Sequence, residues 1–145
     1  MLSILLISIN VLIFCFLSML HFYWAFGGEW ALKGAMPDRY SEIFFDTSRK
    51  MGWIIATLIV AVGLLLFTAI TAMHYDFVQP AFKDTWLNTL TVIIGCIFLL
   101  RALGDFNLFG LFKKQKTGLF AASDTKVYIP LCLTIGLISL LISYL

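Results

Sequence analysis

Residues 99–114 read LLRALGDFNLFGLFKK, and the fold follows from how this stretch is read. Arg101 and Asp105 stand one helical turn apart at the end of a long apolar run. Ionisable side chains in a membrane span are rare, and they usually face the bundle interior or mark a functional site. At a spacing of four, the two can pair along a helix. A carboxylate near a helix C-terminus also needs a local cation, because the macrodipole disfavours an anion there. Arg101 meets that need, and its guanidinium has Asp105, Asp124 or an anionic ligand as alternative partners.

Working outward, four apolar segments account for most of the 145 residues. Leu2 to Phe26 carries no charge apart from His21, and Met51 to Tyr75 none apart from His74. Trp86 to Leu100 is uncharged until Arg101, and Val127 to Leu145 closes the chain. A hydrocarbon core of ~30 Å takes about 20 helical residues to cross. The expected spans are therefore about 3–27, 52–75, 86–106 and 127–145, in one transmembrane domain covering residues 1–145. The fold class is all-α, an integral membrane four-helix bundle. The first segment lacks a basic start and a small-x-small cleavage site, so it is expected to stay as a mature span rather than leave as a signal peptide.

The composition agrees. Hydrophobic residues make up 61% of the chain and charged residues 12%, whereas soluble domains carry about a quarter charged. A net charge of +2 gives no footing for nucleic acid. The positions of the charges are more informative. Lys33, Arg39, Arg49 and Lys50 lie in the first loop and Lys113, Lys114, Lys116 and Lys126 in the third, against Lys83 alone in the second. The positive-inside rule then puts the first and third loops in the cytoplasm and both termini outside the cytoplasmic membrane.

Polar and small residues mark the inward faces, since lipid offers no hydrogen-bond partner. On the first span these are Ser3, Asn10, Phe14, Ser18, His21, Ala25 and Gly28, with Trp24 at the edge; Gly27-Gly28 suits a left-handed cap. On the second, Thr57, Ala61, Leu64, Thr68, Thr71 and Tyr75 share a face, flanked by a Gly52, Ala56, Gly63 strip that suits close helix approach. The third places Asn88, Thr91, Gly95, Phe98, Arg101, Ala102 and Asp105 on one face. On the fourth it is Tyr128, Cys132, Gly136, Ser139 and Ser143. His74 and Asp76 read as a solvated turn.

In the first loop, Pro37 suits a helix start, and Tyr40, Ile43, Phe44 and Thr47 recur at helical spacing among charges. They predict a short amphipathic helix in the headgroup region, with a lid over the bundle mouth as the functional alternative. In the third loop the lysines suit an anionic leaflet, and Ser123 or Asp124 suits the cap of the fourth helix. Cys15, Cys96 and Cys132 all fall in spans, with no ligand spacing. They read as packing residues, and no metal or cofactor is expected.

Three ordered stretches resemble a family of small bacterial four-helix membrane proteins that carries the label "domain of unknown function". They are HFYWAFGGEW (residues 21–30), RALGDF (101–106) and FAASDTKVYIPLC (120–132). The resemblance implies a four-helix membrane protein and no activity. In the topology above, the three stretches meet at the cytoplasmic end. There His21, Trp24, Arg101, Asp105, Asp124 and Tyr128 form a candidate site able to hold an anionic headgroup or relay protons.

The favoured function is a binding or accessory protein that holds a lipid headgroup, a small anion or a partner helix. Membrane lipids, a second copy or another membrane protein are the expected partners. Two alternatives stand beside it. One is a membrane enzyme on a lipid-like substrate, with His21 and Asp105 as acid and base, although no nucleophile–base pair or metal motif is visible. The other is a small oligomeric transporter, although no internal repeat or mid-membrane carboxylate appears.

Overall fold

The computed structural model describes residues 1–36, 47–75, 78, 84–104, 107–114 and 116–145; for 47–50 it describes the backbone alone. Four helices are long and apolar enough to cross a membrane. They are α1 (Leu2–Ala25), α3 (Thr47–Ala72), α4 (Asp84–Leu103) and α5 (Leu119–Tyr144), and a short α2 (Leu32–Ala35) follows α1. No strand occurs among the described residues.

Cross-helix bonds give the arrangement. Ser8–Tyr75, Cys15–Thr68 and the bond from Ser18 to the Ala61 carbonyl run α1 antiparallel to α3. Asn10–Ser139 joins α1 to α5, and His74–Thr91 joins the end of α3 to α4. Phe14, Leu64, Ile94 and Ile135, one from each span, form the central apolar cluster. Large apolar side chains such as Leu12, Phe16, Ile59, Leu66, Ile97 and Leu137 point outward on all four spans. Outward-facing hydrocarbon on every long helix belongs in lipid, not water. The all-α, membrane-spanning four-helix bundle expected from the sequence is what the structure shows.

The expected inward faces are buried at Asn10, Phe14, Ser18, Thr57, Ala61, Leu64, Thr71, Thr91, Cys132 and Ser139. α1 ends as expected at Gly27, whose φ is +93°. Gly28 N–H donates to the Tyr23 carbonyl at 2.8 Å and Gly27 N–H to that of Trp24 at 3.0 Å. This pair of bonds is the Schellman closure.

Several details differ from the expectation. A Cβ added to Gly52 or Gly63 would meet nothing within 4 Å, so that strip makes no close approach. The close approach lies instead between α4 and α5, where a Cβ on Gly95 would stand 3.1 Å from the Gly136 carbonyl oxygen. Asn88 is exposed and Leu87 takes the inward position. His74 is half-buried and bonded to Thr91 at 2.8 Å, rather than solvated. Pro37, Tyr40, Ile43 and Phe44, the basis for the expected amphipathic helix, lie outside the described residues.

The start of α5 also differs. The helix begins at Leu119 after Gly118, so Ser123 and Asp124 lie inside it and cap nothing. Asp124–Tyr128 forms one wide π-turn, closed by Ile129 N–H on the Asp124 carbonyl. Pro130 follows directly. It has no N–H to return to the carbonyl four residues back, and its ring would crowd that carbonyl in an ordinary α-turn. A widened turn accommodates it, and such turns recur at functional sites.

Candidate functional site

Asp124 is fully buried, and the π-turn places it where α4, α5 and the third loop meet. Its Oδ1 accepts from Arg101 Nη2 at 3.0 Å. Its Oδ2 accepts from Lys113 Nζ at 2.9 Å and from the Gly110 backbone N–H at 2.8 Å. A carboxylate away from water is tolerated only when it is paired and hydrogen-bonded in this way.

The loop that supplies two of these donors is itself folded tightly. α4 ends at Leu103, and Gly104 and Gly110 have φ of +91° and +93°. The two glycines lie back to back, such that a Cβ on Gly104 would stand 2.6 Å from the Gly110 Cα. Leu111 N–H donates to the Ala102 carbonyl at 2.9 Å, folding the loop under the end of α4. Only glycine tolerates both the backbone angle and the contact.

Lys113 emerges from this loop with a nearly buried side chain. Besides Asp124, it donates to the Ala121 carbonyl at 3.0 Å and to Thr125 Oγ1 at 2.7 Å. Its three protons thus have three acceptors. The sequence reading, which set Lys113 among the headgroup-facing lysines, is corrected here: its neighbours Lys114 and Lys116 are exposed, but Lys113 turns inward to Asp124. Arg101 is less enclosed, with 31% of its side chain exposed. Its guanidinium carbon lies 4.3 Å from the centre of the Phe109 ring, within cation–π range. Its Nη1 is buried with no hydrogen-bond partner among the described residues.

Of the six candidate residues, Arg101 and Asp124 are brought into direct contact. Tyr128, at the end of the same π-turn, is half-buried within electrostatic reach of both. Asp105 lies outside the described residues, and α4 stops before it.

His21 and Trp24 form a separate pair, their rings 4.9 Å apart and edge-on. The His21 Nδ1 proton goes to the Leu17 carbonyl at 2.7 Å. Trp24 Nε1 donates to the Trp30 carbonyl at 2.8 Å, and the indole packs on Leu32 and Met36. Helix α2 links the two groups, with Leu32 against Trp24 and Gly34 beside Ser123 and the Tyr128 hydroxyl.

Gly110 and Phe109 were not singled out from the sequence, and Thr125 entered only as part of the 120–132 stretch, not as a site residue. The Gly104–Gly110 spacing in GDFNLFG signals a turn. Nothing in the sequence separates Lys113 from Lys114.

Chemically, the described residues of the cluster make a satisfied carboxylate with one surplus positive charge. Three donors occupy Asp124, which leaves it little capacity to take a proton from a substrate. Among the described residues, no group of three His, Cys, Asp or Glu side chains comes together to hold a metal ion.

Comparison with curated proteins and with solved structures finds no match. The family described as "Protein of unknown function (DUF3995)" matches residues 14–139, a range that takes in half of α1, all of α2, α3 and α4, and most of α5. With most of its length matched, from the buried Phe14 to Ser139, the chain belongs to the DUF3995 family.

Proposed function

We propose that this protein is a binding or accessory membrane protein, and that the end of the bundle carrying its first and third loops holds an anionic headgroup against Arg101. The observation behind this reading is the charge balance of the buried cluster. Among the described residues one carboxylate, Asp124, faces two cations, and Arg101 keeps a third of its side chain exposed and an Nη1 without a partner there. A planar guanidinium suits a phosphate or carboxylate better than an ammonium does.

The surroundings fit a headgroup. Lys33, Lys114, Lys116 and Lys126 are exposed at this end, interleaved with exposed Phe26, Trp30, Phe112 and Leu119. Basic and aromatic side chains together suit the interface of an anionic leaflet. By the lysine bias, this end faces the cytoplasm.

Native mass spectrometry of protein released from mixed vesicles tests the reading. Phosphatidylglycerol is expected to be retained over phosphatidylcholine, and the preference is expected to fall in Arg101→Gln. Equal retention of both lipids, or a preference that Arg101→Gln leaves intact, refutes the assignment. A cysteine placed at Lys114 should be shielded from an impermeant reagent in intact cells; ready labelling reverses the orientation.

A further inference from the structure

Away from the ion cluster, the bundle interior contains a second polar level. Asn10 is completely buried, with its Nδ2 donating to Ser139 Oγ at 3.0 Å and its Oδ1 without a partner among the described residues. Thr71 is 1% exposed, and its Oγ1 also has no partner among the described residues. The Ser8–Tyr75 and Cys15–Thr68 bonds bracket Asn10 on α1 and Thr71 on α3, so both lie in one section of that antiparallel pair. The section is just beyond the Phe14, Leu64, Ile94, Ile135 cluster. An unsatisfied buried polar atom is costly, and two at one level call for a shared explanation.

Five other helical threonines strengthen the point. Thr57, Thr68, Thr89, Thr91 and Thr125 each donate to the carbonyl four residues back, at 2.8–3.0 Å. Thr71 forgoes that local bond although it is the most deeply buried of the spans' threonines, together with Thr91. A hydroxyl that leaves its own helix carbonyl needs another partner.

We propose that an ordered water molecule is bound inside the bundle between Asn10 Oδ1 and Thr71 Oγ1. It donates to Asn10 Oδ1 and exchanges a hydrogen bond with the Thr71 hydroxyl. The Ser139 hydroxyl accepts from Asn10 and still has its own proton to give, so it supplies a third contact. Buried waters typically make about three such bonds. Small side chains at this level, Asn10, Thr71 and Ser139, stand where the adjacent cluster has Phe, Leu and Ile.

The sign of one substitution separates a filled site from an empty one. Thr71→Val keeps the side chain's shape and deletes the hydroxyl. If a water is bound, the variant strips it of a partner, and the unfolding midpoint in detergent should fall by roughly 2–4 °C. If the hydroxyl is merely orphaned, removing it relieves a penalty, and a midpoint that is unchanged or raised overturns the proposal. Diffraction beyond about 2 Å gives the second reading. Density within about 2.7–3.2 Å of both oxygens is expected. Its absence, with the Thr71 hydroxyl turned to the Phe67 carbonyl, overturns the proposal as well.

Discussion

At the scale of single residues, Asp124 governs the loop end of the bundle. Arg101, Lys113 and the Gly110 N–H all converge on its carboxylate, so its loss strands two cations and a backbone donor together. Breaking a buried pair by removing one partner costs about 3–5 kcal/mol, because the other charge is left uncompensated. Asp124→Asn is therefore expected to lower thermal stability by an amount near that range. Lys113→Met should cost less, since Asp124 retains Arg101 and Gly110. Arg101→Gln should cost least, because a third of its side chain is already exposed and screening weakens the pair. Unfolding midpoints of the three variants check the order, and an Arg101 variant less stable than the Asp124 variant would reverse it.

At the scale of elements, glycine decides how closely helices approach. A Cβ on Gly136 would stand 2.7 Å from Leu99 Cγ, and one on Gly95 would stand 3.1 Å from both the Gly136 carbonyl and Leu140. Gly136→Ala is expected to wedge α4 from α5 at a cost of about 1–3 kcal/mol, the usual range for overpacking. Gly63→Ala meets open space and gains helix propensity, so it should be neutral or stabilising by up to about 1 kcal/mol. Thermal unfolding of the two variants in one detergent makes the comparison; equal effects would show that the α4–α5 contact is not tight.

Across the whole molecule, the ends of the bundle differ in kind. Among the described residues, the loop end is held by ions, and the opposite end by neutral hydrogen bonds. There His74 Nε2 donates to Thr91 Oγ1, whose own proton goes to the Leu87 carbonyl at 3.0 Å. His74 lies past the end of α3, and burial pushes its imidazole below the ordinary value of 6.5. The unfolded chain therefore takes up the proton at a higher pH than the folded protein does. The stability from a neutral, buried His74 is fully present above pH 6.5 and is lost as the pH falls through the lowered folded value. A pH series of unfolding midpoints should decline below pH 6.5, and His74→Gln should flatten the decline. An unchanged slope in that variant would place the pH dependence elsewhere.

How much of this was legible beforehand differs by level. Four apolar runs of membrane-spanning length specify four helices, because hydrocarbon admits few other ways to satisfy a backbone. The polar stripes likewise specified most of the inward faces, as Asn10, Ser18, Thr71, Thr91 and Ser139 show, with the exposed Asn88 as the exception. The partners of the buried charges were decided only by tertiary structure. The sequence left Arg101 with Asp105, Asp124 or an anionic ligand as alternatives, and the partner described is Asp124, twenty-three residues away. Lys113 and Lys114 are adjacent and chemically identical, yet one is buried and the other exposed. Periodicity reports a residue's direction from its own helix axis and nothing more. The fold of the 104–113 loop depends on two glycines meeting across a turn, and the level shared by Asn10 and Thr71 depends on how α1 is registered against α3. Both are relations between segments, so they exist only once the chain has packed.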